Sequence, residues 1–392
     1  MTDYDLVVYG ATGFTGKLVA EYLADRGGPE QIALAGRSQA KLETVRDELE
    51  VDWPLISADA SDPKSLKAMA RSTKAIVTTV GPYSKYGLPL VEACARAGTD
   101  YADLAGEVLF MRESIERFDK VAKKSGARIV HASGFDSVPS DLGVFLLQEA
   151  AEGELGETVM AVRWASGGFS GGTVASGIGQ VEAAKQDPAL REVTTDPYAL
   201  TPGQSGPDHG DQVWVRYEPV LDSWTGPFLM AGINTRVVRR SNMLSGYAYG
   251  RDFTYKEVVA TGSGLGGRAR AAALAAGTTG GMLALSFGPA QAVASRFLPE
   301  PGEGPSPEAR EKGGFRIEFR STLPDGRVFG AEVLGKGDPG YASTARMLSE
   351  SGLCLATTDG PGGVLTPAAA MGDALVERLR EAGMTLRAWQ VR

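Results

Sequence analysis

The sequence predicts an α/β fold built on a doubly wound parallel sheet, together with a further domain. An apolar, β-branched run at residues 4–9 leads into Gly10, Gly13 and Gly16, and helix-forming residues follow at once. Strand-like and helix-like stretches then alternate up to about residue 140, which is the pattern of a parallel sheet with crossover helices. Because 392 residues exceed what one core usually needs, we expect a second domain.

The turn after the first strand has the composition of a dinucleotide-binding loop. Gly10 lets the backbone leave the strand tightly, Gly13 lets a pyrophosphate approach, and Gly16 lets the helix pack on the strand. The N–H groups at the start of that helix would bind the diphosphate. A P-loop is excluded, because Gly10 and Gly16 enclose five residues and neither Ser nor Thr follows Lys17. The predicted cofactor contacts in this turn are Gly10, Ala11, Thr12, Gly13, Phe14, Thr15 and Gly16.

The second predicted strand, residues 32–35, is followed after one glycine by Arg37 and Ser38. An NAD-selective fold places a carboxylate here to bind the ribose 2′-hydroxyl, whereas this chain offers a guanidinium, with Lys41 one helical turn further on. We therefore expect NADP(H), with Arg37, Ser38 and Lys41 at the cofactor. The alternative for Arg37 is a solvated surface charge. Ser38 is also suited to cap the helix at residues 41–50.

The third and fourth predicted strands, residues 55–57 and 75–80, both lead into loops with candidate cofactor contacts. Asp59 lies at the carboxyl end of the third strand, where the adenine edge of a dinucleotide would lie. Gly81 and Pro82 form a rigid turn after the fourth strand. We expect this turn to border the nicotinamide, because loops at the carboxyl ends of these strands line the crevice.

The fifth and sixth predicted strands, residues 100–104 and 128–132, complete the alternation around an amphipathic helix at residues 107–124. A polar loop follows the sixth strand and contains Asp136 and Ser137. Both side chains are candidates for the active site. Their alternative role is to cap the helix that begins near residue 139.

Several motifs together resemble the saccharopine dehydrogenase-like oxidoreductases, and most closely their trans-acting enoyl reductase branch. They lie at residues 10–16, 80–83, 134–141, 167–173, 247–252, 340–341 and 362–368, so the resemblance runs nearly from end to end. It implies a Rossmann-type NAD(P)-binding domain at residues 1–140, completed by a C-terminal segment at residues 356–392. It also implies an inserted mixed α+β domain for substrate binding or dimerisation at residues 141–355.

The remaining sequence is compatible with this organisation. Thr366 and Pro367 form a good helix start, and residues 384–389 have the pattern of an edge strand. Strand-like runs at residues 158–164 and 315–320 indicate a separate sheet in the inserted part.

Two stretches have open interpretations. Residues 167–173 either bind a phosphate of a carrier-protein pantetheine or of coenzyme A, or pack closely at a domain junction. Residues 271–295 contain no charged side chain, but their alanines and glycines argue against a spanning helix. They form either a buried or dimer-interface helical pair, or a lip for an acyl chain or a membrane surface. The flanking Arg268, Arg270 and Arg296 keep peripheral membrane contact open.

The resemblance implies that NADPH reduces an activated double bond in a small-molecule or carrier-bound acyl substrate of the lipid-precursor type. By topology Tyr83 and Tyr86 are the first candidate proton donors, followed by Asp136 and Ser137. His131, at the end of a buried strand, is more typical of a core residue, and water is a further proton source. The Tyr-x-x-x-Lys pattern that supplies the usual acid of a short-chain reductase is absent, because none of the twelve tyrosines is followed by lysine four residues later.

Two other functions stay open at this point. One is reductive chemistry on an imine or amino acid, which would need convergent guanidinium groups to bind carboxylates. Candidates for that role are Arg163, Arg236, Arg239, Arg240 and Arg251. The other is a non-catalytic protein that binds NADP as a sensor or as a lipid-associated scaffold.

The composition of the chain limits the classes of binding partner and the cellular location that we expect. The net charge of −8 gives no support for nucleic-acid binding. Two distant cysteines, Cys94 and Cys354, offer neither a disulfide framework nor a metal-binding spacing, and with only two histidines we expect no metal site. We expect a cytoplasmic homodimer, with membrane association left open.

Overall fold

The computed structural model describes residues 2–166, 179, 187–286 and 304–392, and these residues form two sheets. The first sheet has seven parallel strands in the order β13-β6-β5-β4-β1-β2-β3. The chain runs outward from β1 in both directions, so β1 marks the switch point at which ligands bind in such sheets. The strands are β1 (Tyr4–Tyr9), β2 (Ile32–Gly36), β3 (Leu55–Ser57), β4 (Thr73–Thr78), β5 (Asp100–Asp103), β6 (Arg128–Val130) and β13 (Gly363–Leu365).

Helices connect and cover these strands, which confirms the predicted doubly wound α/β fold. Buried apolar residues on β1, such as Val7 and Val8, form part of cores on both faces of the sheet. The helices of this part are α1 (Phe14–Arg26), α2 (Gln39–Glu48), α3 (Pro63–Arg71), α4 (Tyr83–Ala97), α5 (Val108–Ser125) and α6 (Val138–Ala151).

The second sheet is mixed and has the order β14-β12-β11-β7-β10-β9-β8. Only β7 and β10 pair in parallel, and the other neighbours are antiparallel. Its strands are β7 (Glu157–Ala165), β8 (Arg216–Glu218), β9 (Ser223–Pro227), β10 (Thr254–Gly262), β11 (Gly314–Thr322), β12 (Val328–Lys336) and β14 (Thr385–Gln390). The later helices are α7 (Pro188–Thr195), α8 (Ala231–Leu244), α9 (Gly264–Ser286), α10 (Pro307–Lys312), α11 (Thr344–Thr357) and α12 (Pro367–Glu381).

The C-terminal segment contributes a strand to each sheet. β13 pairs in parallel with β6 and completes the first sheet. The strand expected at residues 384–389 forms as β14, but it is the edge of the second sheet and pairs with β12. Side-chain contacts account for this position, because Leu386 is buried and Arg387 forms an ion pair of 2.6 Å with Glu332 of β12.

α11 packs against the first sheet although it begins before residue 356. Gly352 of this helix approaches β4 so closely that a Cβ there would lie 2.4 Å from Val77 Cγ1. The chain therefore returns to the first sheet earlier than the C-terminal range 356–392. The domain boundaries at residues 140 and 355 remain a prediction.

α9 contains the described part of the uncharged stretch at residues 271–295. Its buried residues Ala271 and Ala275 belong to the face that packs on β9 and β10, whereas most of its other side chains as far as residue 281 are exposed. No helix among the described residues has both the length and the apolar character needed to cross a bilayer. Residues 287–295 lie outside the described part of the chain.

Candidate functional site

The glycine-rich turn between β1 and α1 has the geometry of a tight backbone cradle. Gly10 has a φ of 93°, in the left-handed region, and a Cβ at this residue would lie 2.8 Å from Thr79 Oγ1. A Cβ at Gly16 would lie 2.0 Å from the carbonyl oxygen of Gly10, so α1 can approach β1 only with glycine there. Gly13 is exposed and is the N-cap residue of α1. The cradle therefore leaves open the side on which a diphosphate would bind.

The amino-terminal end of α1 retains its positive electrostatic character. No side chain caps this end, and its first turn contains no acidic residue. Backbone N–H groups of the turn are thus available to an anion, as a dinucleotide diphosphate requires. Ala11 is buried, whereas Thr12, Phe14 and Thr15 are partly exposed.

The second half of the chain reaches this turn through Phe14. The Phe14 ring packs edge-on against Tyr341, with 5.0 Å between ring centroids. The Arg310 guanidinium lies 5.4 Å from the centroid of the same ring. Tyr341 and Arg310, from the second half of the chain, therefore border the candidate cofactor site together with the turn after β1.

The predicted 2′-phosphate contacts lie together after β2. Arg37 and Lys41 are exposed, and neither side chain has an ion pair among the described residues. Ser38 caps α2, since its Oγ accepts a hydrogen bond of 3.4 Å from the Lys41 N–H. Asp59 accepts hydrogen bonds of 2.8 and 2.7 Å from the Ser61 N–H and Oγ, and these bonds, with a smaller effect of Arg37, lower the pKa of Asp59. Arg37 and Asp59 follow the carboxyl ends of the paired strands β2 and β3, so both lie at the same edge of the sheet.

The turn after β4 is exposed at Gly81 and Pro82, which are joined by a cis peptide bond. The helix that follows, α4, differs from α1 because its amino-terminal end is already occupied. The buried Glu107 carboxylate accepts hydrogen bonds of 2.9 Å from the Tyr83 N–H and 2.8 Å from the Ser84 N–H. Sequence reasoning did not identify Glu107, because it lies more than twenty residues further along the chain.

The two candidate tyrosines of α4 have different surroundings. The buried Tyr83 hydroxyl donates to the Thr78 carbonyl oxygen at 3.0 Å and accepts from the Leu104 N–H at 3.2 Å. Burial also raises the pKa of Tyr83 well above its usual value. These contacts favour a structural role for the hydroxyl. Tyr86 is partly exposed, its ring lies 5.1 Å from the Lys85 ammonium, and its hydroxyl has no hydrogen bond within the described residues.

Asp136 follows β6 and combines partial exposure with a perturbed pKa. Burial of the Asp136 carboxyl, together with the negative charge of Asp103, raises the pKa of Asp136 to about 7. Its negative charge also makes a small contribution to the raised pKa of Tyr83. A carboxyl group with this pKa can hold and release a proton at neutral pH.

Ser137 belongs to a buried hydrogen-bond network that joins the two sheets. Its Oγ donates to Asn234 Oδ1 at 3.0 Å, and Asn234 Nδ2 donates to Glu257 Oε2 at 2.9 Å. The Tyr255 hydroxyl donates to the other Glu257 oxygen at 2.8 Å, and burial raises the pKa of Glu257 to about 7. Ser137 takes the N-cap position of α6, but its side chain makes no capping hydrogen bond.

His131 is a satisfied core residue. Its Nδ1 lies 2.7 Å from Asp103 Oδ2, so it donates to that carboxylate, and its Nε2 lies 2.8 Å from Ser114 Oγ. Asp103 also accepts from the N–H groups of Ala105 and Ala132 at 2.9 and 3.0 Å. The signal for Asp103 in the sequence was its place at the end of a buried strand, where a carboxylate needs several partners.

Most of the arginines considered for carboxylate binding are held by protein groups. The contacts are Arg163 with Glu318, Arg236 with Asp211, Arg239 with Asp208 at 2.6 Å, and Arg240 with the carbonyl oxygens of Leu200 and Val364. Arg251 is the exception, since it has no ion pair within the described part of the chain and its guanidinium lies over the Tyr247 ring. The glycine-rich segment 167–173, our other phosphate-site prediction, lies outside the described residues.

Comparison with known proteins gives three findings. Residues 6–130 match the family model described as the saccharopine dehydrogenase NADP binding domain. A protein of Mycobacterium tuberculosis, provisionally named a trans-acting enoyl reductase, is 48% identical over 412 residues, covering 98% of this chain and 97% of that protein. A Mycobacterium bovis protein named trans-acting enoyl reductase is 45% identical over 409 residues, with the same coverage.

The fold also has a solved counterpart. Saccharopine dehydrogenase (L-Glu forming) from Saccharomyces cerevisiae superposes with a TM-score of 0.55 at 13% sequence identity, over 99% of each chain. At this identity the similarity establishes a shared fold and carries no information on substrate.

Proposed function

Because this chain belongs to the saccharopine dehydrogenase-like family and, within it, to the trans-acting enoyl reductases, we propose that it reduces an activated carbon–carbon double bond of an acyl substrate. It is an oxidoreductase with NADP(H) as cofactor, as the sequence predicted. The observation that carries the proposal is the similarity over nearly the whole chain to proteins named for enoyl reduction.

The cofactor residues have separate roles in this proposal. The Gly10–Gly16 cradle and the uncapped end of α1 bind the diphosphate. Arg37 and Lys41 bind the 2′-phosphate as exposed cations without competing ion pairs among the described residues. Asp59 lies at the adenosine end, whereas Gly81 and Pro82 border the nicotinamide. When bound, NADPH supplies the hydride, and the protein aligns the cofactor and excludes water.

We assign the proton to Asp136 in place of the tyrosines. Hydride addition at one carbon of the double bond leaves an electron pair on its neighbour, which must take up one proton to give the saturated product and NADP⁺. The pKa of about 7 lets Asp136 carry that proton at neutral pH, whereas the Tyr83 hydroxyl is already held by two backbone groups. Ser137 is a positioning residue, because its hydroxyl is bonded to Asn234.

The charge distribution supports an acyl substrate over an amino acid. Amino-acid substrates carry carboxylates, which need free guanidinium groups near the cofactor. Four of the five candidate arginines instead bind protein carboxylates or carbonyl oxygens. Leu229, an exposed apolar residue, lies two residues before the start of α8, and the Ile233 side chain in the first turn of α8 lies against Gly106 after β5. We therefore expect the apolar part of the substrate to contact this side of the crevice.

The test is NADPH oxidation followed by absorbance, with purified protein and two substrate classes. One class is enoyl thioesters of short and long chain, and the other is an amino acid mixed with a 2-oxo acid. We expect turnover of the thioesters with NADPH and little with NADH. Turnover of the amino-acid mixture alone would favour the imine reaction, and saturable NADPH binding without any turnover would favour a non-catalytic NADP-binding protein. The cytoplasmic homodimer and the peripheral membrane contact remain predictions.

A further inference from the structure

The guanidinium of Arg310 lies beside the amino-terminal end of α1, although Arg310 belongs to α10 in the second half of the chain. It is 5.4 Å from the centroid of the Phe14 ring, and Phe14 is the first residue of α1. The Phe14 N–H has no protein partner among the described residues, so it is one of the donors at this helix end. The guanidinium is held within roughly 10 Å of that N–H, about one Debye length in 0.1 M salt.

Backbone and ring contacts fix α10 against Phe14. The Arg310 carbonyl oxygen accepts a hydrogen bond of 2.8 Å from the Asp338 N–H, which ties α10 to the residues after β12. Gly304, shortly before α10, approaches the Phe14 ring so closely that a Cβ there would lie 2.3 Å from Phe14 Cζ. The Tyr341 ring packs edge-on against the same ring. Arg310 is therefore a half-buried residue with a defined position beside the turn after β1.

The positive charge of Arg310 is not neutralised by an ion pair within the described part of the chain. Its one side-chain hydrogen bond there is long, 3.4 Å from Nη1 to the Pro305 carbonyl oxygen. The Asp338 carboxylate instead accepts hydrogen bonds of 3.0 and 3.1 Å from two N–H groups of the turn that follows it, and burial raises the pKa of Asp338. Glu308 is fully exposed to solvent. Most of the donors of Arg310 are therefore free to bind a ligand.

We propose that Arg310 is a further cofactor-binding residue, whose guanidinium binds the diphosphate together with the N–H groups of α1. The inference rests on the proposed placement of the diphosphate at α1, and it does not depend on the acyl substrate. A planar guanidinium matches the oxygens of a phosphate group and compensates part of the negative charge of the linkage. Lys17, the cation in the first turns of α1, is unsuited to this role because it pairs with Glu48 at 2.7 Å.

A contact with the diphosphate differs from a contact with the 2′-phosphate in its dependence on the cofactor. NADPH and NADH share the diphosphate, whereas only NADPH carries the 2′-phosphate. Arg310→Gln should therefore weaken the binding of both cofactors by the same factor, about 10- to 100-fold, because a charge-assisted contact to phosphate is lost. Adenosine 2′-monophosphate lacks the diphosphate, so its binding should be unchanged.

The test is calorimetric titration of the full-length protein and of Arg310→Gln with NADPH, NADH and adenosine 2′-monophosphate. The matched control is Lys312→Gln, because Lys312 is an exposed cation on the same short helix, and we expect its removal to change each affinity by less than about threefold. Unchanged NADPH affinity of a folded Arg310→Gln protein would overturn the inference. A loss confined to NADPH, or shared by adenosine 2′-monophosphate, would also overturn it, as would the absence of NADPH binding by the unmodified protein.

Two further measurements distinguish cofactor binding from a structural role beside the Phe14 ring. Arg310→Lys keeps the charge but not the planar donors, so we expect it to recover part of the affinity lost in Arg310→Gln. Thermal denaturation without cofactor reports the structural role, and a lower Tm with unchanged cofactor affinity would refute the inference. Enoyl reduction by the unmodified protein is measured in parallel. Its absence would refute the proposed reaction and leave Arg310 at the diphosphate, whereas reduction with unchanged cofactor affinity in Arg310→Gln would refute only the role of Arg310.

Discussion

Replacement of Arg37 by aspartate tests the basis of cofactor selectivity. In the folded chain Arg37 is exposed and has no ion pair among the described residues, so its donors are available to the 2′-phosphate. Loss of hydrogen bonds to a charged group costs about 1.5–3 kcal/mol. The new carboxylate also repels a dianionic phosphate, and at about 5 Å in a water-like dielectric this adds roughly 1.5 kcal/mol. The sum of about 3–4.5 kcal/mol corresponds to an affinity for NADPH that is weaker by a factor of about 150 to 2,000.

NADH lacks this phosphate, so we expect its affinity to change by less than about threefold or to improve, because a carboxylate can bind the ribose 2′-hydroxyl. The assay is fluorescence titration of the unmodified and Arg37→Asp proteins with both cofactors, at low and high salt. The matched control is Arg46→Asp. Arg46 lies on the surface in the last turn of α2, at the opposite end of this helix from Arg37, and pairs with Asp47. Equal losses for NADPH and NADH would remove Arg37 from the phosphate site.

Three further predictions concern the turn and the proton donor. Asp136→Asn should lower kcat by at least about 100-fold. The Asp136 carboxyl is protonated below its pKa of about 7 and loses the proton above it, so kcat of the unmodified protein should fall as pH rises through about 7. The variant should lose this pH dependence. An unaltered pH–rate profile in that variant would point to water as the donor. Tyr83→Phe should lower the free energy of unfolding by about 1–3 kcal/mol, because the buried Thr78 carbonyl and the partly buried Leu104 N–H lose their partner. We expect kcat to stay close to normal in the folded fraction. Thermal denaturation and kinetics check this, and a large loss of kcat without destabilisation would restore Tyr83 as donor. Gly16→Ala should abolish saturable NADPH binding or folding itself, because its Cβ would lie 2.0 Å from the Gly10 carbonyl oxygen. The control for backbone strain alone is Gly126→Ala, at an exposed turn where φ is positive but the space around a Cβ is open. Equal effects of the two substitutions in an NADPH titration would argue against the close approach at Gly16.

Local patterns made the first half of the site predictable. The turn at Gly10, the capping role of Ser38 and the position of Asp59 all depend on residues close in sequence. The strand and helix order followed from periodicity for the same reason.

Long-range contacts account for what was missed. The sequence predicted Tyr83 as a proton donor, but its hydroxyl is held by backbone groups of Thr78 and Leu104, and neither bond has a signal in the sequence. The partner of Ser137 is Asn234, almost a hundred residues away. β14 has the alternating pattern of an edge strand in either sheet, and only its pairing with β12 decides which sheet it joins.

The Glu107 carboxylate, which binds the first N–H groups of α4, bears on the direction in which a dinucleotide would lie. Two helix ends follow neighbouring parallel strands, and each would otherwise attract the same negatively charged linkage. Glu107 already accepts hydrogen bonds from the first N–H groups of α4, whereas the amino-terminal end of α1 has no capping side chain. We therefore expect a dinucleotide to place its diphosphate at α1 and not at α4, which would fix the direction in which it lies along the edge of the sheet.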